Sequence, residues 1–159
     1  MESHRAKRRI ALSAPRGTIT LAGIFSAFST VVPVLLLNLG LAPALAEKVF
    51  VATYLVGFPI VMSAVHQLYG LAVAVSEACG VERPSTLGFL AGVLPLGYVI
   101  PLYYVLRMFA RCKRLEGRIN ATPMDIVLNI ITFGLHSAMY AVLFNKVVDM
   151  ALEWLDKPY

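Results

Sequence analysis

Residues 107–118 read Arg-Met-Phe-Ala-Arg-Cys-Lys-Arg-Leu-Glu-Gly-Arg, a dense basic cluster in a chain otherwise poor in charge. A Lys or Arg held at the centre of a hydrocarbon layer costs roughly 3 kcal/mol even on lenient insertion scales. The cluster therefore marks a polar surface, and the apolar segments on either side of it must be threaded to agree.

Working outward, residues 17–46, 49–76, 84–106 and 126–145 contain no Asp, Glu, Lys or Arg. Each run matches or exceeds the roughly 20 apolar residues that a helix needs to cross a bilayer. With 58% hydrophobic and 14% charged residues in 159, the chain is too apolar to resemble an ordinary soluble domain, where about 25% of residues are charged. The expectation is an all-α, polytopic integral membrane protein. Four transmembrane helices would form a bundle over 18–147, at about 18–41, 49–76, 87–109 and 124–147. A basic cytoplasmic segment, 1–17, would precede it and a short polar extension, 148–159, would follow.

Local signals punctuate these segments. Gly40 and Pro43 separate the first two, Gly80 and Arg83-Pro84 end the second, and Ser85/Thr86 cap the third. Thr122-Pro123-Met124-Asp125 reads as a capping box opening the fourth. Pro59 marks a kink in the second segment. The third, with Pro95, Gly97 and Pro101, is the candidate for a broken or re-entrant helix. Ala44-Leu45-Ala46 has the form of a signal-peptidase site, but the apolar run before it exceeds the usual 7–15 residues, so an uncleaved first helix is expected. A shift of 37 residues superposes Gly97 on Gly134 and Tyr103 on Tyr140, a hint of internal repetition. Trp154 reads as an interface anchor.

Four crossings would put both termini on one side and the 107–118 connector on the other. Arg5, Lys7, Arg8, Arg9 and Arg16 then oppose Arg107, Arg111, Lys113, Arg114 and Arg118, and the positive-inside rule has no clear winner. Dominance of the first helix favours a cytoplasmic N-terminus; the alternatives are a re-entrant third segment, or insertion both ways up with antiparallel pairing. These ten residues set topology or bind anionic lipid headgroups, not nucleic acid, because they stand at segment ends. Asn120-Ala121-Thr122 is a glycosylation sequon that would report on the side of the connector. Cys79 and Cys112 fall in connectors that four crossings place on opposite sides, so no disulfide is expected between them.

Polar residues inside apolar segments are costly and define the candidate chemistry. Ser63, His66 and Gln67 share one face of the second segment, and Asn129, Thr132, His136 and Tyr140 share one face of the fourth. His66 and His136, at similar depths, form a candidate ligand pair for one b-type haem. The competing explanation is that they hydrogen-bond between helices. A proton-coupled transporter needs an intramembrane carboxylate, and Glu47, Glu77, Asp125 and Asp149 all lie at segment margins. A small homo-oligomeric channel or transporter with a polar path lined by the two histidines is an alternative. No phosphate loop, metal motif or nucleophile motif is present, so no enzyme and no cofactor other than haem is expected. Ala22, Gly23, Ser26, Ala27 and Thr30 form a small-residue stripe suited to close helix packing. The leading expectation is a non-catalytic membrane protein whose partners are lipids and other membrane subunits or itself: an accessory, assembly or structural subunit, or a self-associating scaffold.

Overall fold

The computed structural model describes residues 16–112, 115, 117 and 119–155, with residues 154 and 155 described by their backbone alone. Arg5, Lys7, Arg8, Arg9, Lys113, Arg114, Arg118 and the Trp154 side chain lie outside the described residues. All regular structure among the described residues is helical. Helix α1 covers Arg16–Asn38 and α2 covers Pro43–Cys79. Both are long and apolar enough to cross a membrane. At 37 residues, α2 is about 55 Å long.

The α1–α2 link is local chemistry. Gly40, at φ 73°, takes the left-handed conformation, and the N–H groups of Gly40 and Leu41 return to the carbonyls of Leu37 and Leu36. That pairing satisfies the orphan carbonyls of the helix end. Pro43 then opens α2, where its missing N–H costs nothing. The helices pack with Phe25 against Gly57, 3.2 Å from where a Cβ would stand. Helix α2 runs unbroken through Pro59.

The expected third segment, 87–109, is not one helix. It consists of α3, Thr86–Leu90, a 3₁₀ turn, Ala91–Val93, and α4, Val99–Ala110. Pro95 has no N–H to donate, and Leu96 has φ 66°, so the helix cannot pass through. Turn bonds carry the chain across: Gly97 N–H to Leu94, then Ile100 N–H to Gly97. Gly88 lies against Tyr104 and Gly92 against Pro101. One index rises as the other falls, so α3 and α4 form an antiparallel hairpin. Its tip enters the α1–α2 cleft, where the Tyr54 hydroxyl donates to the Val93 carbonyl at 2.9 Å. Tyr98, fully buried, reaches the Ile19 carbonyl at 2.9 Å.

The hairpin overturns the expectation about the cysteines. Cys79 and Cys112 form a disulfide with their Cα atoms 5.2 Å apart. The third segment returns to the end it started from, so both residues stand at the hairpin's base. On the chain-entropy model, closing this 33-residue separation contributes about 3–4 kcal/mol.

The expected fourth helix, 124–147, is also interrupted. Helix α5, Met124–Ile131, stops at residues 132–134, and α6, Leu135–Leu155, begins after them. Phe133 has φ 50° and Gly134 φ 88°. The capping box does not form as expected: the Thr122 hydroxyl donates to the Asp125 carboxylate at 3.3 Å, and no side chain caps the α5 backbone. Nor does a side chain cap α3 at Ser85.

Helix α6 runs antiparallel to α1. Arg16 forms an ion pair with Asp149, Asn145 donates to Thr20 Oγ1 at 2.8 Å, and Ser137 donates to the Gly23 carbonyl at 3.2 Å. Ala22, Gly23, Ser26, Ala27 and Thr30 are all buried. A Cβ on Gly23 would stand 2.8 Å from Ala141 Cβ and 2.9 Å from the Ser137 carbonyl oxygen, neither of which can swing aside. Gly23→Ala should therefore destabilise the fold by about 1–3 kcal/mol. Gly70→Ala, with nothing within 4 Å of the added carbon, should not. Thermal unfolding of both variants in detergent checks this, and equal midpoints would refute the close α1–α6 approach.

Candidate functional site

Two backbone breaks in a helical protein expose carbonyl and amide groups that must be paired if they are buried. Here they meet each other. A Cβ on Gly134 would stand 2.6 Å from Thr30 Oγ1 and 3.1 Å from Leu96 Cδ2, so the 132–134 break lies directly on the hairpin tip and on α1. The Asn129 amide donates to the Leu96 carbonyl at 2.7 Å. The Thr30 hydroxyl is shared between the Phe133 carbonyl and the Ser26 carbonyl one turn back in its own helix. Asn129 is fully buried, and its Oδ1 has no hydrogen-bond partner among the described residues.

Beside this junction sits a titratable cluster. His136 Nε2 lies 3.3 Å from Asp125 Oδ1, although the residues are eleven apart in sequence. In a straight helix that separation would be about 16 Å. The break folds α5 back along α6 and closes the distance. Both side chains are mostly buried, at 17% and 21% exposure. Thr132 Oγ1 accepts the His136 backbone N–H at 3.1 Å, and the His136 and Tyr140 rings have centroids 5.5 Å apart. Asp125 and Tyr103 lie near enough to act electrostatically on the Tyr140 hydroxyl. That hydroxyl is buried and makes no well-formed hydrogen bond among the described residues.

The structure thus gathers Asn129 of α5, Thr132 of the break and His136 and Tyr140 of α6, instead of one continuous helix face. The other group does not join them. Ser63 and His66 are exposed on α2, while Gln67 is half-buried and its Oε1 has no hydrogen-bond partner among the described residues. Asp125 and the Leu96 carbonyl were absent from the expected set. A continuous helix through residues 132–134 would leave Asp125 at a segment margin, three turns from His136. The Pro-Leu-Gly of 95–97 and the Phe-Gly of 133–134 were the available signals for the two breaks.

A carboxylate against an imidazole can hold, share or release a proton. Among the described residues no three His, Cys, Asp or Glu side chains cluster as a metal site. Comparison of the chain with protein-family models, with curated proteins and with solved structures finds no match.

The Asn129–Leu96 bond is the direct tie between the two breaks. Asn129→Ala removes it and leaves a part-buried carbonyl without its donor, at a cost of about 1–3 kcal/mol. Its unfolding midpoint in detergent should fall well below that of Asn120→Ala, which changes an exposed loop residue. Coincident midpoints would mean that the tie contributes nothing.

Proposed function

We propose that this is a small integral membrane protein without catalytic activity, serving as an accessory, assembly or structural subunit of a larger membrane complex or as a self-associating scaffold. Helices α1 and α2 cross the bilayer, and the two broken segments reach its interior from one side. The observation that supports this reading is the outward surface of the crossing pair. Leu21, Ile24, Phe28, Leu55, Val56 and Phe58 are among many large apolar side chains left exposed, and only 22% of the most apolar stretch of α2 is buried. Each such side chain gains roughly 1.5–3 kcal/mol on leaving water, so lipid or another membrane subunit is the fitting surround.

Two crossings also remove the stalemate between the basic clusters. Arg16, Arg107 and Arg111 belong to the end that carries the hairpin base, and residues 1–15 and 113–118 are joined to the chain at that end. The opposite end has a single basic residue, Lys48; the neighbouring Glu47 counts for little, because the rule weighs Lys and Arg and not net charge. The positive-inside rule then assigns the Arg16 end to the cytoplasm.

Labelling of intact cells with a membrane-impermeant maleimide tests the threading. In a Cys79→Ser/Cys112→Ser background, Leu41→Cys should react from outside and Glu82→Cys only after permeabilisation. Reaction of both from outside would refute two crossings with this orientation. Purification in mild detergent should yield stoichiometric foreign subunits or a homo-oligomer, and a uniform monomer would overturn the assembly reading.

The Asp125–His136 pair favours a second reading, a proton-handling transporter, because it supplies the carboxylate that the apolar spans lack. Asp125→Asn in proteoliposomes should then abolish proton-coupled flux while leaving the purified protein folded. Flux indifferent to that change would count against it. The haem alternative fares less well: His136 would have to leave Asp125, and His66 stands on an exposed face.

A further inference from the structure

The proposed orientation and the disulfide pull in opposite directions. Charge assigns the Arg16 end to the cytoplasm, yet Cys79 and Cys112 are joined at that end. Disulfides persist in oxidising compartments and are rare where cytosolic thiol systems keep cysteines reduced; those found there are mostly transient, catalytic or redox-sensing. A bond so placed is not a passive staple. Resting on that orientation, we infer that Cys79 and Cys112 form a reversible redox latch, a modification site at the base of the α3–α4 hairpin.

The geometry supports an orderly exchange. Cys79 is the last residue of α2, half-buried beside the turn at Gly80, whereas Cys112 is 1% exposed. Attack enters at Cys79, the less buried residue of the two. The thiolate of a low-potential protein dithiol bonds to Cys79 Sγ, the Cys79–Cys112 bond breaks, and Cys112 leaves as a thiolate and takes a proton. The donor's second thiolate then attacks the mixed disulfide at its own first sulfur, releasing the Cys79 thiolate, which is protonated in turn. The donor ends as a disulfide, and two electrons and two protons have passed to the pair. A disulfide donor of higher potential reverses the sequence.

The latch acts on one end of the hairpin only. At the tip, Tyr98 remains bonded to Ile19 and Asn129 to Leu96. At the base, Cys112 and Leu115 are buried while Arg111 and Gly117 are exposed, so opening releases the start of the basic connector without unthreading the hairpin.

The test uses the full chain in native membranes. Cells are acid-quenched and alkylated with N-ethylmaleimide, and the protein is analysed by mass spectrometry with and without prior treatment by the thiol oxidant diamide. The expected result is two adducts in resting cells, none after diamide, and their return after dithiothreitol. Limited trypsin digestion in parallel should cleave after Arg111, next to the buried Cys112, at least several-fold faster in the reduced protein. A Cys79→Ser/Cys112→Ser double variant should show the fast rate in both conditions. Two adducts that persist through diamide overturn the latch, as does a bond resistant to dithiothreitol in native membranes. A bond fully formed in resting cells also overturns it. The maleimide labelling then separates the causes: an external Glu82→Cys means the orientation failed, and an internal one means the redox inference failed.

Discussion

Freed backbone carbonyls must find donors inside the protein, and the arrangement of this chain follows from how two helix breaks meet that demand. Where no water is at hand, an unpaired C=O or N–H costs several kcal/mol, so irregular backbone survives only when buried against protein or lining a cavity. Residues 94–98 and 132–134 solve the problem together. Asn129 caps Leu96, Thr30 serves Phe133, and Gly134 leaves room for both neighbours to close in. Remove the junction and neither hairpin has a reason to keep its depth or register.

The rest is arranged to hold that junction. Helix α1 presents a small-residue face to α6, which lets Ser137 reach the Gly23 carbonyl and aligns Arg16 with Asp149. Helix α2 supports the other side, with Tyr69 edge-on to Phe89 and Tyr54 bonded to Val93. The disulfide draws the ends of α2 and α4 together at the far end of the same hairpin. The Asp125–His136 pair is a by-product of the same folding-back, since without the break a full three turns of helix would separate the two side chains.

Much of this was legible in the chain. The apolar runs gave an all-helical protein, and Gly40, Pro43 and Gly80 marked real helix ends because their conformational demands are met by neighbours one turn away. The small residues of α1 stood at helical spacing and lie on its buried face. Hydropathy does not imply continuity. A run of uncharged residues says that a segment can be buried, not that it is straight, and proline or Phe-Gly inside it decides only with a partner for the freed groups. A continuous helix through residues 132–134 would leave Asp125 at a margin, and one through Pro95 would put Cys79 and Cys112 on opposite sides.

By itself the sequence determined helical class, the two long apolar helices and the positions of charge, because these depend on composition and on interactions within a turn or two. Only the tertiary structure decided that the third and fourth segments fold back, that the cysteines meet and that Asp125 reaches His136. Those outcomes rest on bonds spanning 33 to 103 residues, such as Asn129 to Leu96 and Thr30 to Phe133. No local pattern records them, since each partner is an ordinary backbone carbonyl until the distant chain arrives.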